Sequence, residues 1–227
     1  MDSSTNDIWY FENVDLFKVL CPTKLKNQPD SHQFHHYKKG QFVYFQDQPS
    51  DHIYLIAEGR VKIGSYSTEG KEITKTILSK GEIFGELALT GEDRRAGFAQ
   101  SLVDNTTVCS MAIDVMQELM QEDQALSLKI IKLIGFRFRK LERRLESLVF
   151  KDARTRVIEF IREMALEKGQ KVGFETMVKS HLTHQDIANL TGTSRQTVTT
   201  ILNDLRDSNL INFDRRKILI RDLDKLK

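Results

Sequence analysis

Two stretches carry residues whose types and spacing suit chemistry. In Ser194–Leu205, Val198, Ile201, Leu202 and Leu205 recur at helical spacing and predict a buried stripe. Arg195, Gln196, Thr199 and Asn203 then point outward, with Thr200 at the margin. Arg forks onto guanine, Gln onto adenine, and a Thr methyl packs on the thymine methyl, so this face suits the edges of bases in a major groove. The second stretch is Gly81 to Thr90, followed by Arg94, Arg95 and Ala96. A Gly before a short helical turn offers backbone N–H groups to a phosphate, a carboxylate accepts from a ribose hydroxyl, and an Arg neutralises the anion. Taken by residue types alone, that stretch fits an anion nest or an ordinary loop.

The elements that must position the first set are legible. Thr183, with Asp186 three residues on, reads as a capping-box start, and Ile187, Ala188 and Leu190 give the first helix an inner face. The small Ala188 lets a second helix cross closely. Gly192 falls at the turn, where a left-handed backbone costs glycine least. Thr193 or Ser194 then caps the second helix. Together these predict a helix-turn-helix. Leu210–Phe213, a turn at Asp214-Arg215-Arg216 and Lys217–Ile220 predict a β-hairpin, the wing of a winged helix, whose basic tip suits phosphate. His181 and His184 flank the first helix as structural or phosphate-adjacent groups.

Charge supports this division. The 227 residues carry a net +2; from Lys151 onward there are 15 Lys+Arg against 11 Asp+Glu, or +4, and the first 150 residues carry 19 against 21, or −2. The basic half coincides with the helix-turn-helix. Cys21 and Cys109 form no CxxC pair, the polar start lacks a signal-peptide pattern, and no apolar run approaches the roughly 20 residues of a membrane span. A reducing cytoplasm is expected, with no membrane contact and no metal site. There is no nucleophile elbow, HExxH or Walker loop, so no catalytic residue is assigned and the chain is not expected to be an enzyme.

Along the chain, Trp9–Leu20 predicts a short helix ended or kinked by Pro22. From about Gln33, strands are predicted at Gln41–Phe45, Ile53–Ile56, Arg60–Tyr66, Glu72–Leu78 and Val108–Ala112, punctuated by glycines, as in an antiparallel barrel or jelly roll. Asp114 and Gln117 suggest a capping box opening a short helix to about Met120. A long helix follows from about Asp123, with Ile131, Ile134, Phe138, Leu141, Leu145 and Leu148 spaced 3, 4, 3, 4, 3. Such a heptad seam predicts a parallel coiled coil with a second copy, and the alternative is an intramolecular core helix. Arg137, Arg139, Lys140, Arg143 and Arg144 lie off the seam, as a solvated face. Phe150-Lys151-Asp152 breaks the seam as a hinge. A helix over about Ala153–Lys168 buries Val157, Ile158, Ile161 and Met164 or Ala165. Gln170–Ser180 is expected to be a loop with one short strand at Val172–Phe174.

The fold class is therefore α+β, with three parts: an effector-sensing barrel over 1–122, a dimerisation helix and hinge over 123–150, and a winged helix-turn-helix over 151–227. Phe84-Gly85-Glu86-Leu87-Ala88-Leu89, five residues and then Arg95-Ala96 resembles the phosphate-binding cassette of cyclic-nucleotide-binding domains. The order barrel, cassette, long helix and Ser194-Arg195-Gln196-Thr197-Val198 resembles the catabolite-activator/fumarate-nitrate regulator (CRP/FNR) family over nearly the whole chain. That resemblance implies a homodimeric bacterial transcription regulator on a near-palindromic site in double-stranded DNA, in contact with RNA polymerase if it activates. It implies that Glu86 holds a ribose and Arg95 a cyclic phosphate, with Arg94 as the alternative, in a cassette formed by Gly85, Glu86, Leu87, Ala88 and Ala96. It also implies that Thr183 and Gln185 touch DNA phosphate while Arg195, Gln196 and Thr200 face bases; Ser194, Thr199 and Arg215 complete the expected DNA surface.

Departures bear on the effector. Leu141 and Glu142 stand where cyclic-AMP-responsive members carry a hydroxyl pair for adenine, Ala96 replaces a common Ser, and Thr200 stands where those members commonly carry a base-reading Arg. A cyclic nucleotide is one candidate effector, and a scaffold role for the cassette is another. Two distant cysteines cannot supply the roughly four thiolates of an iron–sulfur cluster. His32, His35, His36 and His52 are haem-ligand candidates by type only, the first three expected in a polar loop. The expected mechanism has the effector drawing the Gly85–Arg95 cassette against the long helix, with Phe150–Asp152 relaying a rotation of the winged domain. The alternative function is a nucleotide-sensing regulatory subunit whose C-terminal domain binds protein.

Overall fold

The computed structural model describes residues 32–179, 182–214 and 217–226. The expected helix over Trp9–Leu20, Cys21, His181 and the Arg215-Arg216 wing tip lie outside the described residues. The chain divides into two compact units within a long helix, at Phe136 and Arg137.

The first unit is built on two four-stranded antiparallel sheets. Strands β1 (His32–Tyr37), β3 (His52–Glu58), β6 (Ile83–Phe84) and β8 (Thr106–Ala112) form one, in the order β1-β8-β3-β6. Strands β2 (Phe42–Tyr44), β4 (Arg60–Tyr66), β5 (Glu72–Ser79) and β7 (Phe98–Ser101) form the other, in the order β2-β7-β4-β5. Period-two alternation explains the layering. Ile56, Phe84 and Val108 join Tyr44, Val61, Leu78 and Ala99 of the second sheet in one core. Their neighbours Ile53, Leu55, Ile83, Cys109 and Met111 face the opposite way, into a cluster with Met116, Leu126 and Ile130. The first sheet is thus covered on both faces.

Two helices complete that second cluster: α1 (Ile113–Glu122), which supplies Met116, and the start of α2 (Gln124–Phe150), which supplies Leu126 and Ile130. Asp114 does not cap α1. The cap position is Ala112 and makes no side-chain bond, while Asp114 sits inside the first turn and accepts only from Val115 N at 2.9 Å. Asp123 serves α2 instead, accepting from Ala125 N at 3.0 Å and Leu126 N at 3.2 Å. Beyond its first turns α2 carries its apolar seam exposed: Ile131, Phe138, Leu141, Leu145 and Leu148 are 43% to 64% accessible.

The second unit packs α3 (Ala153–Lys168), α4 (His184–Thr191) and α5 (Arg195–Asp207) against a four-stranded sheet. Asp152 caps α3, accepting from Thr155 N at 2.7 Å. Val157, Ile158, Ile161 and Ala165 from α3 meet Ile187, Ala188, Val198, Ile201, Leu202 and Leu205 in a single core, with Met164 packed on its margin. The sheet has the order β11-β12-β10-β9, from β9 (Gln170–Val172), β10 (Glu175–Lys179), β11 (Ile211–Phe213) and β12 (Lys217–Ile220). The expected loop over Gln170–Ser180 is therefore a hairpin, and Val172–Phe174, expected as a strand, spans the end of β9 and its turn. Three-residue β9 is wholly exposed and only Thr176 and Val178 of β10 are buried, so the apolar pattern was too short to register.

The histidines expected in a polar loop lie in β1, which pairs along its whole length with β8. His35 Nε2 lies 3.2 Å from Ser110 Oγ and His36 Nδ1 lies 3.0 Å from Thr107 Oγ1, cross-strand pairs that hold the edge of the sheet.

Candidate functional site

In the first unit, β6 delivers the chain into the cassette. Gly85 adopts φ +79°, and a Cβ there would stand 2.9 Å from Arg95 Nη1 and 3.0 Å from the His52 carbonyl, so both the backbone hand and the close approach demand glycine. A 3₁₀ turn, Glu86–Thr90, follows, with Ala88 N donating to Gly85 O at 3.2 Å. Glu86 and Gly85 are buried, Ala88 is half-buried, and Leu87 is exposed. Leu89 of the same turn joins the cluster holding Leu126 and Ile130 together with Leu133 and Ile134, so the cassette and α2 share one apolar core.

Arg95 is only 2% exposed. Its guanidinium donates to the carbonyls of Gly85, at 3.2 Å, and His52, and lies 4.6 Å from the Tyr44 ring centroid and 5.5 Å from that of Tyr54. Among the described residues its Nε has no hydrogen-bond partner. Tyr54 in turn stacks on Phe84 at 5.0 Å. Desolvation is the main reason both tyrosine hydroxyls are harder to ionise than usual. Arg94 takes a different place: it is exposed, bridges to Pro49, and donates to the Asp47 carbonyl at 2.7 Å. Ala96 is exposed, and its N–H is engaged by Glu92 Oε1 at 3.0 Å.

Sequence reasoning missed two cassette residues. Glu92 is one carboxylate in a polar stretch of sequence, and nothing in its neighbours marks it. Lys75 lies where β4 and β5 slip register: Ile63 faces Thr76 and Gly64 faces Thr74, leaving Lys75 as the extra residue. That bulge re-aims it, and its Nζ reaches the Ala96 carbonyl at 3.0 Å. No local signal marks a bulge between two alternating strands.

In the second unit the helix-turn-helix is fastened at each joint. Thr183 and Asp186 form a full capping box at the start of α4, and Ser194 caps α5 by accepting from Thr197 N at 3.0 Å. Gly192 stands at φ +64° between the helices. Arg156 donates to the carbonyls of Thr191 at 2.8 Å, Gly192 at 3.1 Å and Lys151 at 2.6 Å. Arg144, expected on a solvated face, is half-buried and donates to the Asn189 carbonyl at 2.8 Å. Two guanidinium groups thereby satisfy carbonyls left open at the end of α4.

On α5, Arg195, Gln196 and Thr200 are exposed along one polar face, with Ser194 at its start. Thr199 is half-buried: its hydroxyl donates to Arg195 O at 2.9 Å and lies 2.8 Å from His184 Nδ1. Thr199, expected to point outward, is thus committed inward, and Thr200, expected at the margin, stands free of the core. His184 meets Phe213 edge-on at 6.0 Å, and desolvation, then the charge of Arg195, holds its imidazole below the usual histidine range. At the other helix start, Gln185 is exposed and its amide donates to Asn189 Oδ1 at 2.8 Å. Thr183 is exposed beside it, while Arg215 lies outside the described residues.

This geometry defines a two-part protein, an antiparallel β-barrel joined to a winged helix-turn-helix. The comparisons agree with it part by part. A cyclic nucleotide-binding domain model matches residues 34–123, and a Crp-like helix-turn-helix domain model matches 155–227. The chain is 29% identical over 216 residues to a CRP-like cAMP-activated global transcriptional regulator of Mycobacterium tuberculosis, covering 95% of this chain and 93% of the relative. It is 28% identical to the global nitrogen regulator of Synechococcus elongatus, covering 91% of each. A solved structure of a CooA mutant from Carboxydothermus hydrogenoformans matches with a TM-score of 0.82 and 29% identity, covering 96% of each chain. The chain belongs to the CRP/FNR family. It is a DNA-binding transcription regulator with an effector-binding N-terminal domain.

Proposed function

We propose that this regulator acts as a homodimer, zipped along Ile131, Ile134, Phe138, Leu141, Leu145 and Leu148. Each subunit sets α5 in one major groove of a near-palindromic operator. The observation that carries the reading is the two-sided chemistry of α5: Val198, Ile201, Leu202 and Leu205 are buried while Arg195, Gln196 and Thr200 stand exposed. Those three read bases, and Thr183, Gln185, Ser194 and the Arg215 wing tip hold phosphate. Thr199 acts from behind, fixing Arg195 and His184. The setting is cytoplasmic, and RNA polymerase is the partner if the regulator activates. Among the described residues no helix is long and apolar enough to cross a membrane.

In the barrel, the effector is a small anion-bearing molecule received by the Gly85–Ala96 cassette, with Glu86 for a hydroxyl and Arg95 for the anion. A cyclic nucleotide is the first candidate, supported by the domain match over 34–123. Leu89 transmits the cassette's movement to α2, and Phe150–Asp152 relays it to the winged domain. An effector shifts that equilibrium only by its difference in affinity for the two arrangements. The test is calorimetric titration with cyclic AMP and cyclic GMP beside Arg95→Ala. Saturable binding abolished by the substitution is expected; silence of both nucleotides would remove them as effectors while leaving the DNA reading intact.

A further inference from the structure

Any anion entering the cassette meets Arg95 and the backbone N–H that follows it, and both already face a carboxylate of the chain. Glu92 Oε1 accepts from Ala96 N at 3.0 Å, and Glu92 Oε2 accepts from Ser50 Oγ at 2.8 Å and stands 3.7 Å from Arg95 Nη1. The Glu92 side chain is 16% exposed and that of Arg95 is 2% exposed, so the pair is largely removed from water. Backbone supports the arrangement from outside: Ser50 N donates to Asp93 O at 3.0 Å and Arg95 N to Gln48 O at 2.9 Å, pinning the loop that carries Glu92. A carboxylate with an N–H, a hydroxyl and a guanidinium about it has the partners that a phosphate oxyanion requires.

We infer that Glu92 is the resident anion of the Arg95 seat, so that the phosphate or carboxylate of an effector binds by displacing the Glu92 carboxylate. This rests on the reading of the cassette as an anion site and adds its occupant. Two consequences follow from charge alone. An effector's single negative charge at Arg95 gains only what Glu92 gives up, so its net affinity and its specificity come from contacts elsewhere, at Glu86 and Lys75. Moreover, the buried guanidinium keeps a counter-ion when no effector is present, which removes the cost of an uncompensated buried charge.

The test is thermal unfolding of the full-length protein with inorganic phosphate as the probe, against sodium chloride at equal ionic strength. Glu92→Gln preserves the shape, keeps the bond from Ala96 N to its amide oxygen, lets its amide nitrogen donate to Ser50 Oγ, and deletes the charge. It is expected to lower the melting temperature by about 5 °C or more. Phosphate is expected to restore most of that loss while giving wild type only the general salting effect. The double variant Glu92→Gln/Arg95→Met is expected to respond as wild type does. If Glu92→Gln fails to fold and the double variant folds, the same assignment holds. Equal phosphate responses in wild type and Glu92→Gln, or failure of both variants to fold, would overturn it. Failure of the cyclic-nucleotide reading appears separately, as silence in the nucleotide titration with the phosphate response intact.

Discussion

At the residue scale, the decisive feature is which polar side chains are already spent within the protein. Arg195, exposed at the first turn of α5, is available for a bidentate contact with guanine. Arg195→Ala should weaken specific operator binding by about 1–3 kcal/mol and relax one base position, measured by fluorescence anisotropy across single-base operator variants. His184, in contact with Thr199 and Phe213, behaves differently because burial first and the charge of Arg195 second hold its imidazole below the usual histidine range. Its folded-state pKa lies below the unfolded value, so its contribution to stability is complete above the unfolded pKa of about 6.5 and is lost as pH falls through the lower folded value. Chemical denaturation from pH 7.5 to 5 should therefore show a stability loss in wild type that is smaller in His184→Gln. An identical pH profile in the two proteins would assign the loss to other groups.

At the element scale, the turn between α4 and α5 is a tight joint. A Cβ on Gly192 would stand 2.5 Å from Leu148 Cδ2 while the backbone holds φ +64°. Gly192→Ala should cost about 1–3 kcal/mol in unfolding free energy, from the left-handed backbone, before any movement of Leu148. This joint shows how far the residues speak for themselves. The capping box, the glycine turn and the buried stripe of α5 are local chemistry, so they could be read directly. The grip of Arg144 and Arg156 on the Asn189, Thr191 and Gly192 carbonyls could not, because it joins segments 35 to 45 residues apart. Likewise β9 and β10 needed β12 as a partner before their few apolar residues made sense as strands.

At the scale of the whole molecule, α2 presents eight large apolar side chains to solvent in one copy of the chain, five of them, Ile131, Phe138, Leu141, Leu145 and Leu148, on the heptad seam. Burying each is worth about 1.5–3 kcal/mol, so a second copy aligned along the same seam is a strongly favoured partner. Leu141→Glu/Leu145→Glu should convert the dimer to monomer in sedimentation velocity and lower operator affinity at least tenfold, because one subunit then holds one half-site. A protein that stays dimeric with both glutamates in place would move the interface elsewhere. Coupling belongs to this scale too. Leu89→Ala should leave effector affinity within a few-fold of wild type but diminish the effector's influence on operator affinity, since it thins the core shared by cassette and helix. Paired anisotropy titrations with and without saturating effector check that directly.

By itself the sequence determined what depends on spacing and local conformation. The helical periods of α3, α4 and α5, the heptads of α2, the glycines at Gly85 and Gly192, and the cassette and recognition-helix motifs are each written within a few turns of chain. Only the tertiary structure decided which of those polar groups remain available. Thr199 is drawn inward by His184, Arg95 is stacked beneath Tyr44 and Tyr54, Lys75 is re-aimed by a strand bulge, and Glu92 is set against Arg95 and Ala96. The physical reason is that a residue's type fixes the bonds it can make, whereas its partners and its share of water are settled by distant segments brought together in folding.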